Sequence, residues 1–330
     1  MIPQDNALAG HEALAGHDGA WREWHGALAS ARMHHGWILA GPKGMGKATF
    51  ARAAARALVA EPGIHQPEGP HPDIIVLDPL PASDEDEKKR DEGKPYQTKR
   101  SISVDQIRRM QARLVTRPTL GSRRAVIIDP ADDLEKNAVN ALLKSLEEPP
   151  AGTFFLLVTH RPGRLLATVR SRCRMLRFAR VGPAEIDAVL RQGVPEADAA
   201  TRAAAIAAAE GSPGAALAFV GRELAPLHAL MQRIMREGDG GFALRGTLAA
   251  EIGTRPDRER VLAALDLARA TLAEDLAAAP RARQLKLIEA HGAMTRLSRE
   301  AQTYNFDAGL LIMEIGGLLA SAAMPREAAT

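Results

Sequence analysis

A glycine-rich loop that directly follows an apolar run is the feature of this sequence that most restricts its fold. Residues 37–40, WILA, are apolar, and residues 41–49, GPKGMGKAT, form the loop. A buried strand, a glycine loop and a helix in this order present backbone N–H groups and a lysine to a polyphosphate. The sequence therefore predicts a phosphate-binding loop in an α/β fold. The candidate nucleotide ligands in it are Gly41, Gly44, Gly46, Lys47, Ala48 and Thr49.

The loop lacks one of the parts that hold a metal nucleotide. The pattern G-x-x-x-x-G-K-[ST] places a hydroxyl directly after the lysine, where it ligates Mg²⁺. This chain has Ala48 at that position and Thr49 one place later. Lys47 and the loop amides still suit phosphate groups, but we expect ATP to bind weakly or not at all unless Thr49 replaces the missing ligand.

The second part of such a site is an apolar strand that ends in an acidic residue. Residues 125–128 are apolar and are followed by Asp129, which is placed to hold Mg²⁺ through water. ATPases of this type commonly have a glutamate next, whereas this chain has Pro130, which offers no side-chain acceptor to the attacking water. Hydrolysis is therefore expected to be lost. Asp129 is equally open to an ordinary interpretation, as a strand-end residue that caps the next turn.

Three further positions carry predictions, one structural and two functional. Apolar side chains at helical spacing follow Asp132, which predicts a helix within residues 132–150 with Asp132 as its cap. Thr159 ends the next apolar run and is either a contact for a γ-phosphate or an ordinary strand-end threonine. Arg172 lies in an arginine-rich stretch, where most side chains are expected to be solvated.

Apolar runs alternate with helical patterns through the first half of the chain and then stop. Strands that alternate with helices predict a parallel, doubly wound sheet. From residue 183 onward the chain is alanine-rich, with helical patterns separated by glycine and proline, which predicts helices only. The predicted divisions are an α/β nucleotide-binding-like domain (1–181), a small helical domain (182–222) and a larger helical domain (223–330).

Composition excludes several other classes of protein. The chain of 330 residues is 46% hydrophobic, and it shows neither a membrane-spanning apolar run nor a signal-peptide pattern, so we expect a cytoplasmic protein. Its single cysteine, Cys173, forms no internal disulfide, and His65 and His71 are too few to complete a zinc site.

Residues 79–100 are rich in charge, proline and glycine, which predicts a mobile loop.

Two motifs some twenty residues apart resemble a known family. Residues 142–150, LLKSLEEPP, together with Ser171-Arg172-Cys173, are similar to the bacterial clamp-loader proteins of the AAA+ class. The glycine loop and residues 34–37, HHGW, fit the same pattern. The resemblance covers roughly residues 8–180. It implies an AAA+ sheet domain, a helical lid and a helical collar that joins other subunits. It also implies that Arg172 reaches into the ATP site of a neighbouring subunit.

Departures from that family pattern indicate which branch of the family the chain resembles. Clamp-loader subunits that hydrolyse ATP have a hydroxyl after the loop lysine, an acidic pair at the strand end, four zinc-binding cysteines and an arginine in the second sensor. This chain has Ala48, Asp129-Pro130, one cysteine and Gly214 at these positions. The losses are typical of the delta-prime branch, which implies a rigid stator within the DNA polymerase III nucleotidyltransferase complex, without ATPase activity of its own. The implied partners are gamma/tau-type ATPases, a delta subunit and, through the complex, a sliding clamp and primed DNA.

Three other functions stay open on the sequence alone. An ATP-hydrolysing motor subunit of the same complex is disfavoured by Ala48, Pro130 and Gly214. A P-loop phosphotransferase for a small metabolite would have no use for the helical second half or the Ser-Arg-Cys motif. A stand-alone DNA-binding protein is disfavoured by a net charge of only +3.

Overall fold

The chain divides into two units. The computed structural model describes residues 16–30, 32–253, 256, 258–276, 279–304 and 306–323. The first unit ends at Arg180 and the second begins at Val181. Within the described ranges, no helix combines the length and the apolar character needed to cross a membrane.

The first unit is built on a five-stranded parallel sheet with the strand order β2-β3-β4-β1-β5. Its central strands are buried on both faces, as expected for apolar runs in a parallel sheet. The predicted parallel α/β fold is therefore confirmed. The strands are β1 (Gly36–Ala40), β2 (Ile74–Leu77), β3 (Arg124–Ile128), β4 (Thr153–Thr159) and β5 (Arg174–Arg177).

Helices cover both faces of this sheet. One face packs against α1 and α2, where Trp24 and Phe50 are fully buried. The other face packs against α4 and α5 through side chains such as Ile107 and Leu142. The helices are α1 (Asp18–Leu28), α2 (Lys47–Val59), α3 (Asp84–Asp91), α4 (Val104–Leu114), α5 (Lys136–Glu147) and the single turn α6 (Ala167–Arg170).

The charged segment 79–100 is not an irregular loop, and that part of its prediction was wrong. It contains α3, whose N-cap is Ser83, and the Ser83 hydroxyl accepts a hydrogen bond from the Asp86 N–H at 3.2 Å. The first turn of α3 is acidic and its last turn is basic, which is the order that a helix dipole favours. None of its residues is buried. The composition missed α3 because it counts charges and ignores their order; the mobility of the segment stays a prediction.

Asp132 does not cap the following helix, so that prediction was also wrong. Residues Ala131–Asp133 form a single 3-10 turn, and α5 begins only at Lys136, with Glu135 at its N-cap position. The Asp132 carboxylate instead accepts hydrogen bonds from Thr159 and His160 on the neighbouring strand end. Spacing along one helix does not reveal such a contact between distant segments.

The second unit is helical throughout its described residues. Leu190 and Phe219 of the predicted small domain share one buried cluster with Leu227 and Ile315 of the predicted larger domain. The division at 222 therefore stays a prediction. The helices are α7 (Pro183–Gly193), α8 (Ala199–Ala208), α9 (Pro213–Gly221), α10 (Ala225–Glu237), α11 (Ala243–Ile252), α12 (Arg258–Glu274), α13 (Arg281–Thr303) and α14 (Ala308–Ser321).

A buried charge pair joins Arg124, the first residue of β3, to Asp73, which directly precedes β2. The Asp73 carboxylate accepts hydrogen bonds from the backbone N–H groups of Thr119 at 2.6 Å and Leu120 at 2.8 Å. Its Oδ1 lies 3.6 Å from Nη2 of Arg124, and both side chains are almost wholly buried. Burial by itself raises the pKa of Asp73, but these hydrogen bonds and the guanidinium together outweigh it and hold the pKa below its usual value.

We expect Asp73→Ala to lower the free energy of unfolding of the first unit by about 3–5 kcal/mol, because it leaves the buried Arg124 without a counter-charge. Urea denaturation at neutral pH measures this. Because the pKa of Asp73 is depressed, its contribution is present above the ordinary carboxyl pKa and is lost as the pH falls through the folded-state value.

The exposed pair of Asp105 and Arg108 on α4 supplies the control. Asp105→Ala should change the free energy of unfolding by less than about 1 kcal/mol. Equal effects of Asp73→Ala and Asp105→Ala would show that the buried pair does not hold the sheet as described.

Candidate functional site

The glycine loop leaves β1 at the carboxyl edge of the sheet and enters α2. Gly44 and Gly46 have φ angles of 80° and 75°, in the left-handed region that glycine adopts without strain. A Cβ at Gly41 would lie 2.2 Å from the carbonyl oxygen of Phe178, so only glycine fits there. The predicted strand, loop and helix are thus present, and each of these glycines has a steric reason to be there.

Lys47 points into its own loop. Its side chain is buried, with 2% of its surface exposed, and its Nζ donates a hydrogen bond to the Pro42 carbonyl oxygen. Burial lowers the pKa of Lys47 to about 8, although the nearby carboxylates of Asp132 and Asp129 oppose the shift. The Lys47 ammonium is therefore bound to a carbonyl oxygen of its own loop, and a phosphate in the loop would have to compete with that contact.

The acidic strand end lies near this lysine but is not an ATPase catalytic pair. Asp129 follows β3, and its Oδ2 lies 3.8 Å from Nη1 of Arg52. Burial raises the pKa of Asp129 above its usual value. Ala48 stands in the first turn of α2 without a hydroxyl, and Thr49 is exposed to solvent. The arrangement retains an acid and a lysine but no side-chain hydroxyl directly after that lysine.

Thr159 lies at the end of β4, and its hydroxyl is already engaged. It donates to Asp132 Oδ1 at 2.8 Å, while the backbone N–H of His160 donates to Asp132 Oδ2 at 2.6 Å. The pKa of His160 is lowered to about 4, first by burial and then by the positive charge of Lys47. Sequence reasoning missed Asp132 and His160 as parts of this edge, since a contact across 27 residues leaves no local signal.

Arg172 lies at the opposite, amino edge of the sheet, just before β5. Its Nη2 is 2.7 Å from Glu147 Oε1 at the end of α5. Its Nη1 donates to the Thr168 carbonyl oxygen at 2.9 Å and to the Ser171 hydroxyl at 3.3 Å. About a third of the side chain is exposed, at 34%. The guanidinium is therefore oriented by two segments of the chain and is still accessible.

Motifs that are far apart in the sequence meet around Arg172. Nε2 of His35, just before β1, lies 2.9 Å from the Leu146 carbonyl oxygen in the last turn of α5. A Cβ at Gly36 would lie 2.9 Å from Cys173 Sγ and 3.0 Å from the Arg172 carbonyl oxygen. Burial raises the pKa of the Cys173 thiol to about 12, so it is protonated at neutral pH and serves packing.

The structure thus divides the predicted site residues between two edges. Gly41, Gly44, Gly46, Lys47, Asp129 and Thr159 lie at the carboxyl edge. Arg172 packs beside Gly36, at the other end of β1. Gly41 is five positions after Gly36 along β1, and at about 3.3 Å per residue this is roughly 16 Å. Arg172 therefore does not serve the loop of its own chain.

We expect Lys47→Met to stabilise the folded first unit at pH 7, because it removes a buried charge whose pKa is depressed to about 8. Each pKa unit corresponds to about 1.4 kcal/mol, so the gain is on the order of 1–3 kcal/mol. Above pH 8 the folded-state lysine loses its proton while the unfolded chain keeps it, so the parent protein gains stability and the difference shrinks toward pH 10. Urea denaturation at several pH values tests this; a destabilising Lys47→Met at pH 7 would contradict it.

Comparisons with known proteins identify relatives of this chain. The family model described as "DNA polymerase III, delta subunit" matches residues 16–182. The DNA polymerase III subunit delta′ of Pseudomonas aeruginosa is 33% identical over 207 residues, which are 58% of this chain and 58% of that protein. The Escherichia coli K12 subunit delta′ is 36% identical over 205 residues, 58% of this chain and 55% of that protein. A Mycobacterium tuberculosis subunit gamma/tau is 31% identical over 205 residues, 60% of this chain and 34% of that protein.

The aligned region spans a little over half the length of the two delta′ relatives. The family model covers the loop, the acidic strand end and the Arg172 edge, which all lie within residues 16–182. Since residues 16–182 make up half of the sequence, the chain belongs to the DNA polymerase III delta subunit family.

Proposed function

We propose that this chain is a delta′-type clamp-loader subunit, a stator that hydrolyses no ATP and supplies Arg172 to the ATP site of a neighbouring subunit. The observation that carries the proposal is the position of Arg172. It is oriented by Glu147 and Thr168, accessible to a second protein, and at the edge of the sheet away from its own glycine loop.

The glycine loop supports the non-hydrolysing half of this proposal. Ala48 offers no Mg²⁺ ligand and Pro130 offers no base to an attacking water. Lys47 and Thr159 bind to groups of their own chain. ATP binding in this loop is accordingly weak or absent, and no zinc is part of the function.

The chemistry of an arginine supplied in trans is electrostatic. As the γ-phosphoryl group leaves ADP, charge spreads over its oxygens, and a planar guanidinium can donate two hydrogen bonds to them at once.

The subunits that receive this contact are gamma/tau-type ATPases, and a delta subunit completes the ring. The assembled complex works in the cytoplasm on a sliding clamp and primed DNA, with 182–222 as the lid and 223–330 as the collar that joins the subunits.

The isolated chain should turn over ATP at well below about 1 s⁻¹, the lower end of the usual enzyme range. Ala48→Thr alone should not restore turnover, because Pro130 still provides no base. A coupled phosphate-release assay on the purified chain measures both. Steady turnover above about 1 s⁻¹ would instead identify an ATP-hydrolysing motor subunit.

Arg172→Ala should leave assembly intact and lower the ATP turnover and clamp loading of the reconstituted complex by at least about 10-fold. Arginines supplied in trans are worth roughly 10³–10⁵ in rate where they act on a single site, and several sites share the work here. Arg172→Lys should restore little, because an ammonium lacks the planar fork of donors.

The matched control is Arg174→Ala, which removes an exposed arginine two residues along that pairs with Glu23. This variant should load clamps at the rate of the parent complex. If Arg172→Ala assembles and also loads at the parent rate, Arg172 has no role at the neighbouring ATP site.

A further inference from the structure

The ion pair between Glu147 and Arg172 joins two sequence motifs that are 25 residues apart. Glu147 is the last residue of α5, and its Oε1 lies 2.7 Å from Arg172 Nη2. The opposite Nη1 is held by the Thr168 carbonyl oxygen at 2.9 Å. With both Nη atoms bound to different segments, the plane of the guanidinium is fixed relative to the sheet.

These contacts do not use every donor of the arginine. A guanidinium carries five N–H groups. Among the described residues, Nη1 contacts Thr168 and Ser171, Nη2 contacts Glu147, and Nε contacts none. The oriented side chain therefore has N–H groups left to donate to a phosphoryl oxygen.

Helix stability does not explain the position of Glu147. The C-terminus of a helix carries a partial negative charge, which disfavours a carboxylate in the last turn. α5 nevertheless ends in Glu147 and is followed by Glu148. The pair with Arg172 does not explain it either, because a pair whose side chains are 34% and 48% exposed contributes little to folding.

Contacts with the start of β1 also fix the turn that carries Arg172. Gly36 at the start of β1 lies so close that a Cβ there would be 3.0 Å from the Arg172 carbonyl oxygen. His35 Nε2 contacts the Leu146 carbonyl oxygen, which ties the end of α5 to the start of β1. The backbone of Arg172 and the end of α5 that carries Glu147 are therefore both held at the start of β1. Glu147 thus has a defined position from which to orient the guanidinium.

We propose that Glu147 is a positioning residue for Arg172, whose carboxylate holds the guanidinium in the orientation that meets the phosphoryl group of a neighbouring subunit. This inference rests on the proposed function. Glu147 itself touches no substrate. By holding the Arg172 side chain in one orientation, Glu147 reduces the conformational entropy that this side chain would otherwise lose when charge develops on the phosphoryl oxygens.

A double-mutant cycle in the reconstituted complex tests the proposal. Glu147→Ala should lower the kcat of ATP turnover several-fold, up to about 10-fold, with KM unchanged, because orientation matters in the transition state. Glu147→Gln should retain part of the rate, since its amide oxygen still accepts a hydrogen bond. In the Arg172→Ala background, Glu147→Ala should have no further effect.

Glu148→Ala is the matched control, because Glu148 is the adjacent carboxylate and makes no ion pair among the described residues. It should leave kcat unchanged. Denaturation midpoints of all variants show whether a loss of rate comes from a loss of folding, and Glu147→Gln keeps the test open if Glu147→Ala is unstable.

The outcomes separate the two proposals. If Arg172→Ala has no effect on the complex, the proposed function is wrong and the role of Glu147 falls with it. If Arg172→Ala slows the complex while both Glu147 variants match the parent rate, only the positioning role is overturned. A Glu147→Ala effect of equal size with and without Arg172 would also overturn it.

Discussion

The first unit depends on the close approach of β1 to the segment that carries β5. Glycines stand at both ends of this approach, and a Cβ would lie 2.9 Å from Cys173 Sγ at Gly36 and 2.2 Å from the Phe178 carbonyl oxygen at Gly41. The 2.2 Å distance to a backbone oxygen admits only glycine at position 41, and a Cβ at position 36 would force the Cys173 side chain or the Arg172 carbonyl to shift. Because the register of this strand pair places the turn before β5, it also sets the position of Arg172 relative to the glycine loop.

At the carboxyl edge, buried charges are balanced by groups of the same chain. Lys47 is near Asp132 and Asp129, and Asp129 is in turn near Arg52. Asp132 also accepts two backbone N–H groups and the Thr159 hydroxyl. A buried charge without a partner is very unfavourable. The groups that resemble nucleotide ligands thereby contact one another, and a phosphate would have to displace contacts that already exist.

The sequence predicted the sheet well and the contacts between distant segments poorly. The apolar runs at 37–40 and 125–128 located β1 and β3 to within one residue, because buried parallel strands need little else. The helix α3 was missed because its signals are the Ser83 cap and the order of its charges, which a composition argument ignores. The pairs Asp132 with Thr159 and Glu147 with Arg172 join segments about 25 residues apart, and only the tertiary fold brings them together.

The packing of the glycine loop makes it part of the core of the first unit. Met45 and Lys47 are 1% and 2% exposed, so the loop forms part of the core. The rings of His17 and Phe178 pack edge to face, with their centroids 4.9 Å apart. Phe178 in turn contacts Gly41. Replacing the loop glycines would therefore damage the fold, whereas position 48 holds a small, half-buried side chain. Arg172 at the amino edge is likewise oriented by Glu147 and Thr168, with its backbone close to Gly36, so the loop and the arginine both owe their geometry to contacts within the chain.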